Sequence, residues 1–230
     1  MRQLLTTGII LSRTNYGEAD RIITLLTPDY GKLRLLAKGV RKVKSKLAGG
    51  IELFSVSHIS FIQGRGEIGT LISTRLDRHY GQIVQNIDRV QLGYELIKTL
   101  NKATEDEPEV EYFELLNQVF EALDNPAIGS GLIQVWFQAQ LLKLAGHRPN
   151  LQTDTSGQKL DINQKYDFDF EAMASVPNRS GNFTADHLKF LRLIFSGNQP
   201  KVLNQIKGLE KLVTDCAPLV STMLNSHIRL

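Results

Sequence analysis

The first 80 residues break into short runs in which apolar and polar positions alternate, separated by turn-forming residues. A period of two is typical of β-strands, and the runs cover residues 7–13, 21–27, 32–38, 51–62 and 68–76. Between the second and third runs, Pro28, Asp29 and Gly31 supply the chemistry of a tight turn and predict a hairpin. Five such strands predict a small β-barrel.

Beyond residue 80 the apolar positions recur with the period of amphipathic helices. They form three stripes, whose members are Val90, Tyr94, Ile97 and Leu100, then Phe113, Leu116, Phe120 and Leu123, then Leu132, Val135, Ala139 and Leu142. The stripes predict three amphipathic helices that pack together. Thr184 is predicted to cap a further helix that ends at Gly197, and residues 202–206 and 209–224 predict a short and a long helix.

Strands followed by helices predict the α+β class, with a five-stranded barrel domain at residues 1–80 and a mostly α-helical domain at residues 81–230. The helical pattern is interrupted at residues 147–183, which are polar and too long for a bare loop. Alternation at residues 166–170 predicts a short strand there. The acidic residues of this segment lack the spacing of a calcium-binding loop, so we interpret it as a small subdomain.

Charge is distributed unevenly along the chain. Residues 1–80 hold 13 Lys+Arg against 6 Asp+Glu, whereas residues 81–230 hold 14 against 18. Seven of the basic residues form a run without an acid, and they are Lys32, Arg34, Lys38, Arg41, Lys42, Lys44 and Lys46. The period of a strand places the first three on one face, and the glycines around the other four predict an exposed loop.

A basic strand followed by a basic loop favours nucleic-acid binding, because each phosphate neutralised by Lys or Arg releases counterions. A solvated loop and a membrane-surface site are the alternatives. Arg65 lies in a Gly-rich turn and is a further candidate phosphate contact. The turn matches G-x-G-x-x-G, but the β-branched run after it predicts a strand where a dinucleotide site needs a helix.

Aromatic residues near the basic run divide into two groups. Phe54 and Phe61 lie in an apolar run and are predicted to be core residues. Tyr16 and Tyr30 lie in turns and are candidates for base stacking. In the helical region, Trp136 and Phe137 are candidates for a partner-peptide seat, with ordinary core packing as the alternative.

The remaining chemistry is sparse. The single Cys216 excludes an internal disulfide framework and a multi-cysteine zinc site, and it fits a reducing compartment. The five His residues are far apart and lie in no nucleophile or metal motif. We therefore expect that the protein is not an enzyme and that it binds no cofactor. No stretch has the length and apolarity of a membrane span or a secretion signal, which predicts a cytoplasmic protein.

Several segments together resemble the bacterial recombination mediator family RecO, and they are Gly8-Ile9-Ile10-Leu11, Tyr16-Gly17-Glu18-Ala19-Asp20-Arg21-Ile22, Leu25-Leu26-Thr27, Tyr30-Gly31-Lys32-Leu33, Ala37-Lys38-Gly39-Val40-Arg41, Lys44-Ser45 and Leu142-Lys143-Leu144-Ala145-Gly146-His147-Arg148-Pro149. The resemblance implies an N-terminal OB-fold followed by a helical domain. It also implies binding of single- and double-stranded DNA, annealing of complementary strands, and help in loading the recombinase RecA onto DNA coated by single-strand-binding protein. The implied partners are RecR and the C-terminal tail of that coat protein, and the implied location is the nucleoid.

One departure from this family concerns zinc. Many members hold zinc with four cysteines in an insert, whereas residues 147–183 here contain none. We therefore predict no zinc, with the polar segment in its place. A rival hypothesis makes the protein an interaction adaptor, whose basic patch receives an acidic peptide tail while DNA binding is incidental.

Overall fold

The computed structural model describes residues 2–104, 107 and 109–228. The chain forms two compact units, Met1–Asn125 and Pro126–Leu230. The first unit contains all the strands of a barrel together with two helices. The domain boundary predicted at residue 80 marks the change from strands to helices, and it stays a prediction.

The barrel has five strands in the closed order β1-β2-β3-β5-β4. Their bounds are β1 Gln3–Tyr16, β2 Asp20–Thr27, β3 Gly31–Ala37, β4 Ser55–Ile62 and β5 Ile68–His79. The β3–β5 pair is parallel and the other pairs are antiparallel. This arrangement is the OB-fold, so the predicted class and barrel are confirmed.

The apolar positions that alternate along the strands form the barrel interior, as the sequence predicts. Ile10, Ile23, Leu25 and Leu35 are fully buried, because every second side chain of each strand points inward. The predicted β2–β3 hairpin is confirmed, with Gly31 at a positive φ of 61°. The buried interior supplies the rigid support for the loops on the barrel surface.

The fourth strand is shorter than the predicted run of residues 51–62. It begins at Ser55, because Ala48–Gly50 forms a 3₁₀ turn and Phe54 takes a left-handed φ of 57°. Such a conformation costs about 1–3 kcal/mol in a non-glycine residue. It turns the Phe54 ring inward, where it is 2% exposed and packs edge-to-face against the rings of Tyr94 and Phe120.

Two helices complete the first unit, α1 Ile87–Ala103 and α2 Val110–Asp124. Asn86 caps α1 by accepting a hydrogen bond from the backbone N–H of Arg89. Gly93 of α1 faces the Phe54 ring, and a Cβ there would collide with that ring. The small residue therefore lets α1 approach the barrel.

The second unit is built around a helix that is buried over most of its surface. The helices are α3 Ser130–Leu144, α4 Ala185–Ser196, α5 Pro200–Leu203 and α6 Leu209–His227. The prediction of an amphipathic third helix is wrong, since nine of the fifteen residues of α3 are buried. The predicted cap at Thr184 is confirmed, because its hydroxyl and the His187 ring form a capping box.

The polar segment between α3 and α4 folds as a small three-stranded sheet in the order β6-β8-β7. Its strands are β6 Asn150–Asp154, β7 Tyr166–Asp169 and β8 Ala174–Pro177. The short strand predicted at residues 166–170 is confirmed. Side-chain carboxylates stabilise the turns through hydrogen bonds. Asp167, for example, accepts hydrogen bonds from Asn178 and Asn182.

Asp154 is another acid of this segment whose carboxylate accepts several hydrogen bonds. It is buried, and its carboxylate accepts hydrogen bonds from the Ser156 hydroxyl, Ser156 N–H and Gln158 N–H at 2.6–3.0 Å. The Ser156 hydroxyl has the largest influence in lowering the pKa of the Asp154 carboxyl below its usual value, and the backbone N–H groups add to it against an opposing effect of burial. The turn that follows β6 is therefore tied to an ionised carboxylate.

We expect this turn to loosen in acid. Because the folded-state pKa of Asp154 lies below the unfolded value of about 3.9, its stabilisation is complete above that pH and is lost as the pH falls through the folded-state pKa. A carboxyl-detected NMR titration should find a pKa below that of an unfolded aspartate. In Ser156→Ala the pKa should rise toward the unfolded value, and an unchanged pKa would contradict this assignment.

Candidate nucleic-acid interface

One corner of the barrel brings together most of the predicted basic residues. We define the basic corner as Tyr16, Lys38, Arg41, Lys42, Val43, Lys44 and Lys46. Two hydrogen bonds fasten its loop to the β1–β2 turn: Gly39 N–H donates to the Asp20 carboxylate at 2.6 Å, and Arg41 N–H donates to Ala19 O at 2.9 Å. The loop therefore has a defined position on the barrel.

The tip of the loop is a hydrogen-bonded turn. Ser45 N–H donates to Lys42 O at 2.9 Å, which leaves Val43 and Lys44 at the outermost positions. Val43 is fully exposed, whereas Val40 before the turn and Leu47 after it pack on the barrel core. Apolar anchors on both sides thus hold a basic tip out in solvent.

The cations of this loop are available to an external anion. Lys38, Arg41, Lys42, Lys44 and Lys46 are all exposed, and within the described residues none of them forms a salt bridge. The Arg41 guanidinium donates to a backbone oxygen, Gly17 O, at 3.3 Å. Five such groups on one loop create a local positive potential that attracts a polyanion.

The β1–β2 turn adds an aromatic ring, and Arg21 of β2 lies next to the loop in strand register. Tyr16 is 55% exposed and precedes the Gly17 whose carbonyl oxygen binds Arg41, so its ring is accessible for stacking. Arg21 pairs with Ala37 across β2 and β3, immediately before Lys38. The Arg21 side chain is half-buried and its Nε donates to Asn15 Oδ1 at 3.1 Å, so Arg21 is less accessible to an anion than the loop cations. No sequence signal places Arg21 there, because its position follows from strand register.

Of the other predicted basic residues, Lys32 lies at the opposite end of β3 and Arg34 at its middle, whereas Arg65 lies between β4 and β5. At about 3.3 Å per residue, Lys32 and Lys38 are about 20 Å apart along the strand. Arg34 is exposed, 4.0 Å from the carboxylate of Glu67, and Arg65 is exposed in the β4–β5 turn. That turn joins the antiparallel strands β4 and β5, so the strand predicted after the Gly-rich turn is confirmed. The basic run is therefore spread along β3 and the loop that follows it.

Lys32 requires a correction. Its ammonium group donates to Asn101 O at 3.1 Å and to Thr104 O at 2.6 Å, at the C-terminal end of α1. A cation is favourable there because the last carbonyl groups of a helix lack partners and carry partial negative charge. Lys32 therefore stabilises a helix end, and the prediction that it holds a DNA backbone is replaced by this role.

A matched pair of variants separates the two roles. Lys32→Met should lower the free energy of unfolding by about 1–2 kcal/mol, because two hydrogen bonds from a charged group are lost, and should leave DNA affinity within about twofold. Arg34→Met removes the same charge from an exposed position and should change DNA affinity more than stability. Urea denaturation and oligonucleotide titration measure both, and a reversed pattern would contradict the correction.

Three aromatic predictions are also revised. Tyr30 is half-buried and packs on the core, edge-to-face with Phe61 at 5.5 Å between ring centroids, so its ring does not project from the turn and only part of it is accessible for stacking. Trp136 and Phe137 are 1% and 0% exposed, and Trp136 Nε1 donates to Asn198 O at 2.7 Å. These two residues have no surface to offer a partner peptide, and the core alternative is confirmed.

Metal and thiol chemistry add nothing to the interface. In the described part of the chain, no three His, Cys, Asp or Glu side chains come together in a way that could hold a metal ion. The four-cysteine zinc site that the resemblance implies has no ligands here, since residues 147–183 lack Cys. Cys216 is buried, and burial raises the pKa of its thiol to about 12.

Two family models match nearly the whole chain. Residues 1–79 match the family described as Recombination protein O N terminal, and residues 85–230 match the one described as Recombination protein O C terminal. The chain belongs to the recombination protein O family. This confirms the resemblance that the sequence motifs carry.

Curated members of the RecO family are similar to this protein over part of its chain. The DNA repair protein RecO of Dehalococcoides mccartyi is 34% identical over 148 residues, which are 64% of this chain and 58% of that protein. Its counterpart from Trichodesmium erythraeum is 37% identical over 119 residues (51% and 41%), and that of Rubrobacter xylanophilus is 31% identical over 145 residues (63% and 58%). The chain thus spans 41–58% of the length of these relatives.

Among the residues that the structure describes, no helix is long and apolar enough to cross a bilayer.

Proposed function

We propose that the protein is a DNA repair and recombination mediator that binds single- and double-stranded DNA through the basic corner. The observation that carries the proposal is the set of exposed cations on an anchored loop of an OB barrel. Phosphates are the natural counterpart of such a set, and binding to them is largely independent of sequence. The relatives compared above are all DNA repair proteins, which supports the same conclusion.

Strand annealing follows from the same charges. Two complementary strands repel each other, and a protein that screens their phosphates can hold them close while the bases search for register. Lys42, Lys44 and Lys46 would contact one backbone at the loop tip. This activity needs no covalent chemistry, so the protein acts as a binding factor and not as an enzyme.

The family also suggests partners. We propose that the protein helps load RecA onto DNA coated by single-strand-binding protein, together with RecR, at the nucleoid in the cytoplasm. Annealing of fluorescent complementary oligonucleotides tests the core of this proposal. The protein should accelerate annealing of naked strands and of strands coated with single-strand-binding protein, and an annealing rate equal to that of the buffer control in both cases would contradict it.

A second candidate function, binding of an acidic peptide tail, is favoured by a groove in the second unit. The groove, about 590 Å³ in volume, lies between α4 and the start of α6. Its apolar surface comes from Leu193, Ile206 and Leu212, and Lys189, Lys207 and Lys211 line it as well. Lys189 also contacts Asp186 at 3.2 Å, so the other two lysines are the less engaged cations. An acidic peptide with an apolar end fits this combination.

A pair of titrations separates this groove from the DNA surface. Reversing charge at Lys207 and Lys211 should weaken binding of a labelled acidic peptide that ends in an aromatic residue and should leave oligonucleotide binding within about twofold. Reversing charge in the basic corner should do the opposite. If the corner variant loses the peptide and the groove variant keeps it, the tail binds the barrel as the adaptor hypothesis predicts.

A further inference from the structure

A pocket of about 570 Å³ opens at the end of the barrel where β3 begins. It lies between the β2–β3 strands, the β4–β5 turn and the last turn of α1, all within the first compact unit. Its volume falls in the range of small-molecule sites, about 300–1,000 Å³. We call it the barrel-end pocket.

The inner wall of the barrel-end pocket is apolar and partly aromatic. Tyr30 and Leu33 are half-buried in it, and Phe61, with 1% exposure, lies behind them. The edge-to-face contact between Tyr30 and Phe61 fixes the tyrosine ring, so this wall is present before any ligand binds. A rigid apolar wall suits one face of a planar ring.

The mouth of the pocket is polar. Arg34 carries an exposed guanidinium whose nearest acid, Glu67, is 4.0 Å away and almost fully exposed. Such a surface ion pair contributes about 0–1 kcal/mol, so a phosphate can replace it at little cost, and a guanidinium binds phosphate oxygens in bidentate geometry. Gln63 donates its amide N–H to Gly66 O at 2.8 Å, which leaves the amide oxygen as an acceptor.

Lys32 and Glu67 limit the charge that the pocket accepts. The Lys32 ammonium lies in the wall but is held by carbonyl groups of α1, so Arg34 is the cation that faces a ligand phosphate. The Glu67 carboxylate opposes additional negative charge beside it. The pocket therefore suits a base with one phosphate better than a nucleoside triphosphate.

We propose that the barrel-end pocket binds one unstacked nucleotide of a single strand, with its base against Tyr30 and Leu33 and its phosphate on Arg34. This inference rests on the proposed function, since the strand that supplies the nucleotide is the one bound at the basic corner. Lys32 in the pocket wall lies about 20 Å along β3 from Lys38 at the start of the basic loop. Holding one base out of the stack at this distance keeps a strand extended and its other bases open to a complement.

Backbone NMR with mononucleotides tests the pocket apart from DNA binding. Deoxyadenosine and thymidine monophosphate should shift the amide signals of Leu33, Arg34 and Gln63, and inorganic phosphate at equal concentration should shift them much less. Thr24 lines the pocket and pairs with Arg34 across β2 and β3, so Thr24→Glu places a carboxylate beside the guanidinium. This variant should weaken mononucleotide binding at least tenfold, which is about 1.4 kcal/mol.

Ser73→Glu, on an exposed position of β5 outside the pocket, is the matched control and should bind as the wild type does. Equal shifts with phosphate alone, shifts confined to another surface, or unchanged binding by Thr24→Glu would each overturn the inference. The proposed function fails separately, if the wild type does not bind oligonucleotides. Thr24→Glu should keep oligonucleotide binding through the basic corner with only a few-fold loss.

Discussion

Reversing three charges at the loop tip, Lys42→Glu with Lys44→Glu and Lys46→Glu, should lower the affinity for single-stranded DNA about 100-fold at 0.1 M salt. Each phosphate contact contributes about 0.7 to the slope of log affinity against log salt for a single strand, so the slope should fall by about 2. Fluorescence anisotropy with a labelled oligonucleotide at several salt concentrations measures both quantities. Since the tip is exposed and contributes little to the core, the variant should unfold at the wild-type urea concentration.

A control with the same change in net charge shows whether the effect is local. Lys159, Lys165 and Lys201 are exposed in the second unit and lie outside the sites described above, so their reversal to Glu matches the charge change of the loop variant. This control should keep most of the affinity and nearly the full salt slope. An equal loss in both variants would mean that overall charge, and not the basic corner, governs binding.

The largest effect on stability is expected for Trp136→Ala, which should lower the free energy of unfolding by about 3–5 kcal/mol. The side chain is 1% exposed in the core of the second unit, and its removal leaves a large cavity. It also leaves Asn198 O without its N–H donor. Urea denaturation followed by circular dichroism measures the loss.

Two control variants show whether the loss of stability comes from the lost core volume. Trp136→Phe should cost less because it keeps most of the apolar volume, and Val202→Ala, at a position 58% exposed, should stay within about 0.5 kcal/mol of the wild type. A Trp136→Ala protein that is as stable as the wild type but no longer binds an acidic peptide would contradict the core assignment. It would restore the partner-peptide role predicted from the sequence.

Local patterns predicted the features that depend on local chemistry. The alternation of β2 and β3, the turn at Gly31 and the cap at Thr184 each rest on neighbouring residues, and the structure confirms all three. The exposure of the basic loop was predictable for the same reason, because glycines and unpaired cations are unfavourable in a core. Family motifs then identified the OB-fold.

Contacts between distant residues were not predictable. Lys32 looked like a DNA contact on a strand face, and the carbonyl groups that bind it lie 69 and 72 residues away. The position of Arg21 beside the loop follows from strand register, and the left-handed Phe54 follows from packing against α1 and α2. None of these leaves a signal in a single sequence.

Helix α3 is a different case, because a signal was present. From Ser130 to Gln140 the helix has no charged residue, which is typical of a helix buried on all sides. The stripe from Leu132 to Leu142 describes one face of α3, and the apolar Ile133, Trp136 and Phe137 between its members extend the apolar surface beyond that face. With that feature considered, the burial of Trp136 and Phe137 follows from the sequence.

Lysine footprinting tests the central claim most directly. The protein is treated with an amine-reactive reagent with and without a saturating oligonucleotide, and mass spectrometry reports the reactivity of each lysine. We predict that DNA protects Lys38, Lys42, Lys44 and Lys46 and leaves Lys159, Lys165 and Lys201 as reactive as in the free protein. Unchanged reactivity of the four loop lysines under saturating DNA would contradict the assignment of the basic corner as the DNA-binding surface.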